Sequence, residues 1–148
     1  MICIASDHAG YELKEHIKHY LESKGIKVKD MGTHSLDSVH YPTYGELAAK
    51  EVSEGRCDKA IIVCGTGLGI SMAASKLPGV RCALCTNTFM AEMARQHNDA
   101  NILALGARVI GMGVAEGLVD TFLETPFEGG RHGIRVDMIG DIEKKYNC

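Results

Sequence analysis

The sequence predicts an α/β protein in which a parallel sheet is covered by helices on both faces. Short apolar runs alternate with helical patterns from one end of the 148-residue chain to the other. This alternation is typical of βαβ units, whose crossovers place helices on both sides of a parallel sheet. No repeat, low-complexity tract or proline-rich linker divides the chain, so we expect residues 1–148 to form one domain with one core.

The order of the elements follows from the spacing of apolar residues. Leu13, Ile17 and Leu21 recur at helical spacing, as do Leu118 and Phe122. The predicted strands are 2–6, 26–31, 60–64, 80–85 and 102–105. Further helices are predicted near 44–53, 69–76, 88–96 and 134–146.

Composition limits the classes of partner. A formal net charge of −3 gives no basic field for nucleic acid or an anionic membrane, so an anion site must come from a few placed cations. No apolar stretch is long enough to span a membrane, and the first residues lack the basic region of a secretory signal. We therefore expect a cytoplasmic protein whose six cysteines are reduced.

Cysteine, histidine and methionine bind metals in many proteins, but we assign structural roles to several of these residues in this chain. Cys82 and Cys85 have the CxxC spacing of redox and zinc sites, but residues three apart in a strand point to opposite faces. His16 and His19 fall on the outer face of the first helix and are expected to be exposed to solvent. The seven methionines are interpreted as core filler.

Polar residues follow the first predicted strand. Asp7 and His8 come directly after Ser6 and just before a helix. Parallel α/β sheets bind ligands at the carboxyl ends of their strands, and a helix start favours an anion. Alternatively, Asp7 caps the helix and His8 is a surface residue, and this segment alone does not decide between the two.

A glycine-rich loop follows Cys64 at the end of the third predicted strand. Three glycines in five residues let the backbone approach a ligand and point several N–H groups at one oxygen. A helix start behind a cysteine favours the thiolate, so the segment predicts an activated cysteine beside an oxyanion site. Thr66 is a candidate donor to the thiol or to a substrate oxygen. The loop residues are Gly65, Thr66, Gly67, Leu68 and Gly69.

Three other interpretations of this loop were compared with its spacing. A dinucleotide-binding loop requires GxGxxG, whereas this loop reads GxGxG. The low-molecular-weight phosphatases have an arginine six residues after their cysteine, where this chain has Ile70. A glycine-rich turn that only packs a helix against a strand remains open.

Further candidates lie in the second half of the chain. His97 and Asn98 follow a predicted helix, where an imidazole can act as a general acid or merely cap the helix. Arg108 follows the fifth strand, at the edge of the sheet where Cys64 lies. Arg131 and Arg135 are four residues apart on one helix face, which suits a phosphate dianion or a solvated surface.

Together these segments resemble the type B ribose-5-phosphate isomerases, a family that also includes the galactose-6-phosphate isomerase subunits. The resemblance runs from Met1 to Tyr146 through the motifs SDHAG, GTH, YP, CGTGLGIS, RQHNDANILALG, ARVIG and GGRHGIRV. It implies a Rossmann-like three-layer α/β/α sandwich with a five-stranded parallel sheet. It also implies a homodimer or a dimer of dimers without metal or cofactor, in which the helix at about 134–146 closes the site and the dimer.

The resemblance implies a chemical role for the candidates. Cys64 is the base, Thr66 a further catalytic residue, and His97 the acid that opens the sugar ring. The loop 65–69 binds the developing enediolate. Asp7 and Asn98 bind sugar hydroxyls.

The phosphate ligands that the resemblance implies are His8, Arg131 and Arg135. Arg108 is a further arginine on the substrate side, which comes with His97 and Asn98 from the second subunit.

The implied reaction is the interconversion of D-ribose 5-phosphate and D-ribulose 5-phosphate in the pentose phosphate pathway. Another branch of the family replaces the cysteine and has a glutamate further along the loop helix, but residues 70–75 hold no carboxylate. His40 precedes Tyr41 where many relatives have aspartate, which leaves a detail of substrate preference open. A six-carbon substrate (allose 6-phosphate or galactose 6-phosphate) and a non-catalytic sugar-phosphate sensor remain alternatives, although a sensor is expected to lose Cys64 or His97.

Overall fold

The structure is a computed structural model that describes residues 1–147, so Cys148 of the predicted domain lies outside the described residues. Five parallel strands form one sheet in the order β2-β1-β3-β5-β4. The strands are β1 (Ile2–Ser6), β2 (Val28–Asp30), β3 (Lys59–Cys64), β4 (Cys82–Leu84) and β5 (Ile102–Gly106). The helices are α1 (Tyr11–Ser23), α2 (Tyr41–Ser53), α3 (Leu68–Ala74), α4 (Thr88–Gln96), α5 (Met112–Glu124) and α6 (Arg131–Tyr146).

Successive side chains of the central strands point to opposite faces of the sheet, so a core forms on each face. Ile61 and Leu103 pack on one face with residues of α1, α4 and α5. Ile62 and Ala104 pack on the other face with residues of α2 and α3. Because β3 and β5 are buried on both sides, they are continuously apolar rather than alternating in polarity. The predicted three-layer α/β sandwich with a five-stranded parallel sheet is confirmed.

The largest errors in the predicted boundaries concern the edge strands. The predicted strands 26–31 and 80–85 shrink to three residues each, because β2 and β4 pair with a neighbour on one side only. The second helix begins at Tyr41 rather than residue 44, since Pro42 suits a first helical turn. The last helix begins at Arg131 rather than residue 134, directly after Gly129 and Gly130, both with positive φ.

Two interpretations of side-chain burial were wrong. None of the methionines is buried, because Ile, Leu and Ala fill both cores. His16 is half-buried rather than exposed, and its Nε2 lies 2.8 Å from Oε1 of Glu116 on α5. The expectation that Cys82 and Cys85 point to opposite faces of the sheet was confirmed. Cys85 belongs to the core under α1 and α5, whereas Cys82 packs against the other core.

The sheet topology determines where a ligand can bind. The chain passes from β1 outward to β2 and then back across β1 to β3, so the strand order reverses between β1 and β3. Their carboxyl ends carry Asp7 and His8 on one side and Cys64 on the other. The first two candidate segments therefore meet at the switch point.

Within residues 1–147, no helix combines the length and apolar character needed to cross a membrane.

A buried ion pair joins α1 to β2 beneath this edge. The Nζ atom of Lys14 is wholly buried and lies 2.8 Å from both carboxylate oxygens of Asp30 and 2.9 Å from Glu15. Burial alone would raise the pKa of Asp30, but hydrogen bonds from Lys14 and from the Gly32 N–H outweigh it and lower that pKa. The pair therefore stabilises the fold above the ordinary carboxylate pKa, and this stability is lost as the pH falls through the lowered value.

We predict that Lys14→Met lowers the free energy of unfolding by about 3–5 kcal/mol, because it leaves a buried carboxylate without its main partner. Lys18→Met is the matched control, since Lys18 is partly exposed and lies 3.3 Å from the same carboxylate. Its loss should be about 1 kcal/mol or less. Urea unfolding of the two variants measures the difference, and equal losses would contradict the role assigned to burial.

Candidate active site

Cys64 ends β3 at the switch point and is the centre of the candidate site. Its side chain is 4% exposed, and its Sγ accepts the N–H of Gly67 at 3.1 Å. The hydrogen bond fixes the sulfur beside the glycine-rich loop. Cys64 therefore lies at the edge of the sheet that the sequence predicted.

The loop after Cys64 is packed too closely for any residue but glycine at position 67, and at position 69 any other residue would displace a tyrosine ring. Gly67 has φ +80°, and a Cβ built there lies 2.5 Å from the Leu84 side chain. A Cβ at Gly69 lies 2.6 Å from the Tyr41 ring. Tyr41 therefore covers the loop, a position that the sequence motif did not reveal. The glycines allow the backbone to pass between the core and this ring.

Thr66 contributes to the loop but does not bond the thiol. Its side chain is exposed, and its Oγ1 accepts the N–H of Leu68 at 3.2 Å. The hydroxyl proton remains available for a substrate oxygen. The sequence suggested that Thr66 donates either to the thiol or to a substrate oxygen, and the geometry favours the substrate oxygen.

Asp7 and His8 are both oriented by the backbone. Oδ1 of Asp7 accepts the N–H of Gly10 at 3.0 Å, so this buried carboxylate supports the start of α1 and keeps its second oxygen for a ligand. Nδ1 of His8 accepts the N–H of Val39 at 3.1 Å. Because Nδ1 is an acceptor, the neutral ring carries its proton on Nε2 and can donate from there.

Arg108 lies beside the same loop. Its N–H donates to the Gly65 carbonyl at 2.9 Å, and its Nη1 is 3.3 Å from the position of a Cβ at Gly65. The expectation that Arg108 comes from a second subunit was therefore wrong. β5 pairs with β3 in the sheet, so the residues that follow β5 lie next to those that follow Cys64 within one chain.

The remaining candidates lie at the opposite edge of the sheet. α4 runs back from β4, so that His97 and Asn98 come just before the amino end of β5. Cys64 pairs with Gly106 and Ala60 with Ile102, so Cys64 is four residues, roughly 13 Å, along the sheet from that end. Within one chain the candidates thus form two half-sites. The carboxyl-edge half-site holds Asp7, His8, Cys64, residues 65–69 and Arg108, and the amino-edge half-site holds His97, Asn98, Arg131 and Arg135.

The amino-edge half-site contains a residue that sequence reasoning missed. The His132 ring stacks on the His97 ring with centroids 4.0 Å apart and an interplanar angle of 7°. His132 is the one buried residue of α6 within residues 1–147. Burial, and then the neighbouring His97 and Arg131, lower the pKa of His132. The motif GGRHGIRV contains this histidine, but a histidine between two arginines gave no signal that separated it from the exposed face.

A backbone hydrogen bond holds the segment before α6 close to the stacked histidines. The N–H of Glu128 donates to the Gln96 carbonyl at 3.1 Å, which ties the segment before α6 to the end of α4. Arg131 and Arg135 are exposed at the start of α6, one helical turn apart. The His97 imidazole and the two exposed guanidiniums therefore share this edge, whereas the Cys64 thiol and the glycine-rich loop share the other.

Comparison with known proteins supplies the observation that decides the family. The family model described as Ribose/Galactose Isomerase matches residues 2–139. The chain belongs to the ribose/galactose isomerase family. Ribose-5-phosphate isomerase B of Escherichia coli is 43% identical over 146 residues, which are 99% of this chain and 98% of that protein.

Solved structures of relatives have the same fold over the whole chain. Ribose-5-phosphate isomerase B of Clostridium thermocellum is 56% identical with a TM-score of 0.97, over 98% of each chain. The Mycoplasma genitalium enzyme, solved with bound ribulose 5-phosphate, is 42% identical with a TM-score of 0.94, over 97% of this chain and 96% of that one. The LacB subunit of Clostridium acetobutylicum galactose-6-phosphate isomerase is 41% identical over 86% of this chain and 74% of its own length.

Proposed function

We propose that the protein interconverts D-ribose 5-phosphate and D-ribulose 5-phosphate, as an enzyme of the cytoplasmic pentose phosphate pathway. The observation that carries this proposal is the buried Cys64 thiol, which accepts the Gly67 N–H at 3.1 Å beside a loop of further N–H donors. The full-length relatives named as ribose-5-phosphate isomerase B support the same reaction. We infer that residues 1–148 act as one isomerase domain.

The mechanism requires a proton to move between two adjacent carbons. Cys64 thiolate removes the C2 proton of the open aldose, and the electron pair forms a cis-enediolate. The N–H groups of residues 65–69 and the Thr66 hydroxyl bind the negative oxygen. A proton then passes from O2 to O1, which leaves the negative charge on O2, and protonation of C1 by the thiol gives the ketose and restores the thiolate. Removing one such oxyanion donor typically costs ~10²–10³ in rate.

Binding groups hold the rest of the substrate. Asp7 and Asn98 accept and donate hydrogen bonds to sugar hydroxyls. The proposed phosphate ligands are His8 through its Nε2–H, Arg131 and Arg135, with Arg108 beside the loop as a further cation. Forked guanidiniums suit a phosphate dianion because each can donate two parallel hydrogen bonds.

The two half-sites require a second copy of the chain. His97 lies at the amino edge of the sheet and cannot reach Cys64 of its own chain, so a two-fold dimer would pair the amino-edge half-site of one protomer with the carboxyl-edge half-site of its partner. An exposed apolar face of α6 supports this proposal. Its residues are Ile134, Met138, Ile139, Ile142 and Tyr146. We infer that a partner covers this face, and two such dimers can associate further.

Two alternatives are less well supported. A six-carbon sugar phosphate would fit a galactose-6-phosphate isomerase, but the LacB relative matches a smaller share of this chain than the ribose-5-phosphate isomerases do. A non-catalytic sensor would not need the Cys64 thiol or His97, and the chain has both.

Turnover of ribose, allose and galactose phosphates by the purified protein tests the proposed function. We expect kcat/KM to be highest for ribose 5-phosphate. A higher value for either six-carbon substrate would favour the first alternative, and no turnover of any of them under conditions that preserve the fold would favour the sensor.

The proposed ring-opening role of His97 gives a direction-dependent prediction. His97→Ala should slow turnover of ribose 5-phosphate, which is mostly cyclic, by roughly 10²-fold or more. Ribulose 5-phosphate cannot form the matching furanose, so its initial rate should fall much less. His19→Ala is a control, since that histidine is exposed on α1 and contacts only Glu15 and Glu22 among the charged groups of the described residues. Equal losses for the two substrates at saturation would exclude ring opening.

A further inference from the structure

A cluster of metal-binding groups lies beside the stacked histidines. One nitrogen of His97, one of His132 and a carboxylate oxygen of Glu128 all lie within 4.8 Å of one another. His132 Nε2 and Glu128 Oε2 are 3.5 Å apart. Two ligands of one tetrahedral zinc ion, each about 2.0–2.2 Å from it, are separated by a similar distance.

The buried ring nitrogen is the second, independent observation. Nε2 of His132 is inaccessible to solvent and has no hydrogen-bond partner within residues 1–147. An unpaired buried polar atom costs free energy that a bound ligand would recover.

We propose that His97, Glu128 and His132 bind a divalent transition-metal cation such as Zn²⁺, and that this cation inhibits the enzyme. Two imidazoles and one carboxylate form a donor set typical of zinc, with a fourth position left for water. Nitrogen donors favour Zn²⁺, Co²⁺ or Ni²⁺ over Mg²⁺ and Ca²⁺, which prefer oxygen.

The three ligands differ in mobility. His132 is fixed by burial, and the Glu128 backbone is tied to Gln96. The His97 and His132 rings are almost parallel, so His97 must turn about its side-chain torsions to direct its nitrogen at the same ion. His97 is half-buried and has no side-chain hydrogen bond within the described residues that would oppose this rotation. It is therefore the ligand whose movement couples metal binding to the reaction.

Charge makes Glu128 the decisive ligand. Arg131 and Arg135 lie on α6 with His132, within about one helical turn of it, and their positive charges repel a cation. Glu128 supplies the negative charge among the three ligands. We therefore expect Glu128→Gln, which keeps the shape of the side chain, to weaken binding on the order of tenfold or more.

Metal binding should inhibit the reaction because the mobile ligand is His97, the proposed ring-opening residue. A cation bound to the His97 nitrogen occupies the lone pair or proton position that ring opening requires. This part of the proposal rests on the proposed function of His97, whereas metal binding itself does not. Glu128 has no part in the proposed reaction, so Glu128→Gln should keep the activity of the parent enzyme while losing its sensitivity to zinc.

Binding is tested with Co²⁺, whose absorption spectrum distinguishes sulfur from nitrogen and oxygen ligands. We expect one Co²⁺ per subunit, without a sulfur-to-cobalt charge-transfer band, and loss of this binding in Glu128→Gln and His132→Ala. His19→Ala should bind as the parent does. His132→Ala removes a buried ring, so the exposed Glu128→Gln keeps the test valid if that variant fails to fold. Unchanged Co²⁺ binding in Glu128→Gln, or a sulfur-ligand band, would overturn the site.

Inhibition is tested by turnover of ribose 5-phosphate with added Zn²⁺, reversed by a chelator. The parent should lose most of its activity at a Zn²⁺ concentration that leaves Glu128→Gln active, and Mg²⁺ should have no effect. Equal inhibition of parent and variant would place the inhibiting ion elsewhere, for example on Cys64, and overturn the proposal. Binding at the cluster without inhibition would overturn the inhibition that we propose, whereas the metal site itself would stand.

Discussion

Replacement of Cys64 by alanine is expected to abolish isomerisation and to leave ligand binding nearly intact. The thiol makes its contribution in the chemical step, so its loss should reduce kcat with little change in substrate affinity. Its hydrogen bond with Gly67 spans only three residues of the loop, and the packing of Gly67 against Leu84 and Leu105 persists without it. Exchange of the C2 proton with solvent should disappear along with turnover.

The measurement combines turnover with isotope exchange in deuterated solvent. Cys82→Ala is the matched control, because Cys82 lies in the edge strand β4, which is not next to β3. It should keep the activity of the parent. If Cys64→Ala retained more than a few per cent of turnover, or still exchanged the C2 proton, another group would be the base.

Removal of either proposed phosphate ligand, Arg131 or Arg135, should have the next largest effect. Each alanine variant should raise KM and lower kcat, with a combined loss in kcat/KM on the order of 10²-fold or more. The phosphate is remote from the reacting carbons, but its binding energy orients them at Cys64. Both guanidiniums are exposed in the isolated chain, so the folding stability of the protomer should change little.

Unphosphorylated ribose separates binding from folding. The parent should convert it slowly, and both arginine variants should convert it almost equally slowly because the group they bind is missing. Lys144→Ala, near the other end of α6, controls for a change in helix charge and should behave as the parent. A large additional loss on free ribose would show that the arginines maintain the structure rather than bind phosphate.

Local sequence patterns predicted those parts of the fold that local interactions determine. The bounds of β1 and α4 agree with the prediction, because each has a clear apolar pattern with turn or cap residues beside it. The shortening of β2 and β4 could not be predicted, since it depends on which strands lie at the edges of the sheet. Met138 and the isoleucines of α6 follow the apolar pattern of a core helix, but within residues 1–147 they remain exposed.

The carboxyl-edge half-site could be predicted because its members all follow strands. Asp7, Cys64 and Arg108 come after β1, β3 and β5, which are neighbours in the sheet. The separation of His97 from Cys64 could not be read from spacing, since it depends on the direction in which α4 returns to β5. Arg108 was assigned to the wrong subunit for the same reason. It was grouped with His97 and Asn98, although the sheet places Arg108 at the carboxyl edge and the other two at the amino edge.

His132 was missed because its environment is made by two distant segments. The ring is buried against His97, 35 positions earlier in the chain, and the segment before α6 is held by the Gln96 carbonyl. No periodicity along 131–135 distinguishes a buried imidazole from the exposed arginines beside it. Only the tertiary structure reveals the stack and the unpaired nitrogen.

We propose that one active site combines Cys64 of one protomer with His97 of another, and co-refolding of two inactive variants examines this directly. Cys64→Ala and His97→Ala chains, each with little or no activity on ribose 5-phosphate, are unfolded together and refolded as a mixture. Random pairing makes about half of the dimers mixed, and each mixed dimer holds one intact site, so about a quarter of all sites should recover. The same variants refolded separately and then mixed provide the control. Recovery near that fraction is the predicted result, whereas no recovery in verified mixed dimers would contradict the shared site.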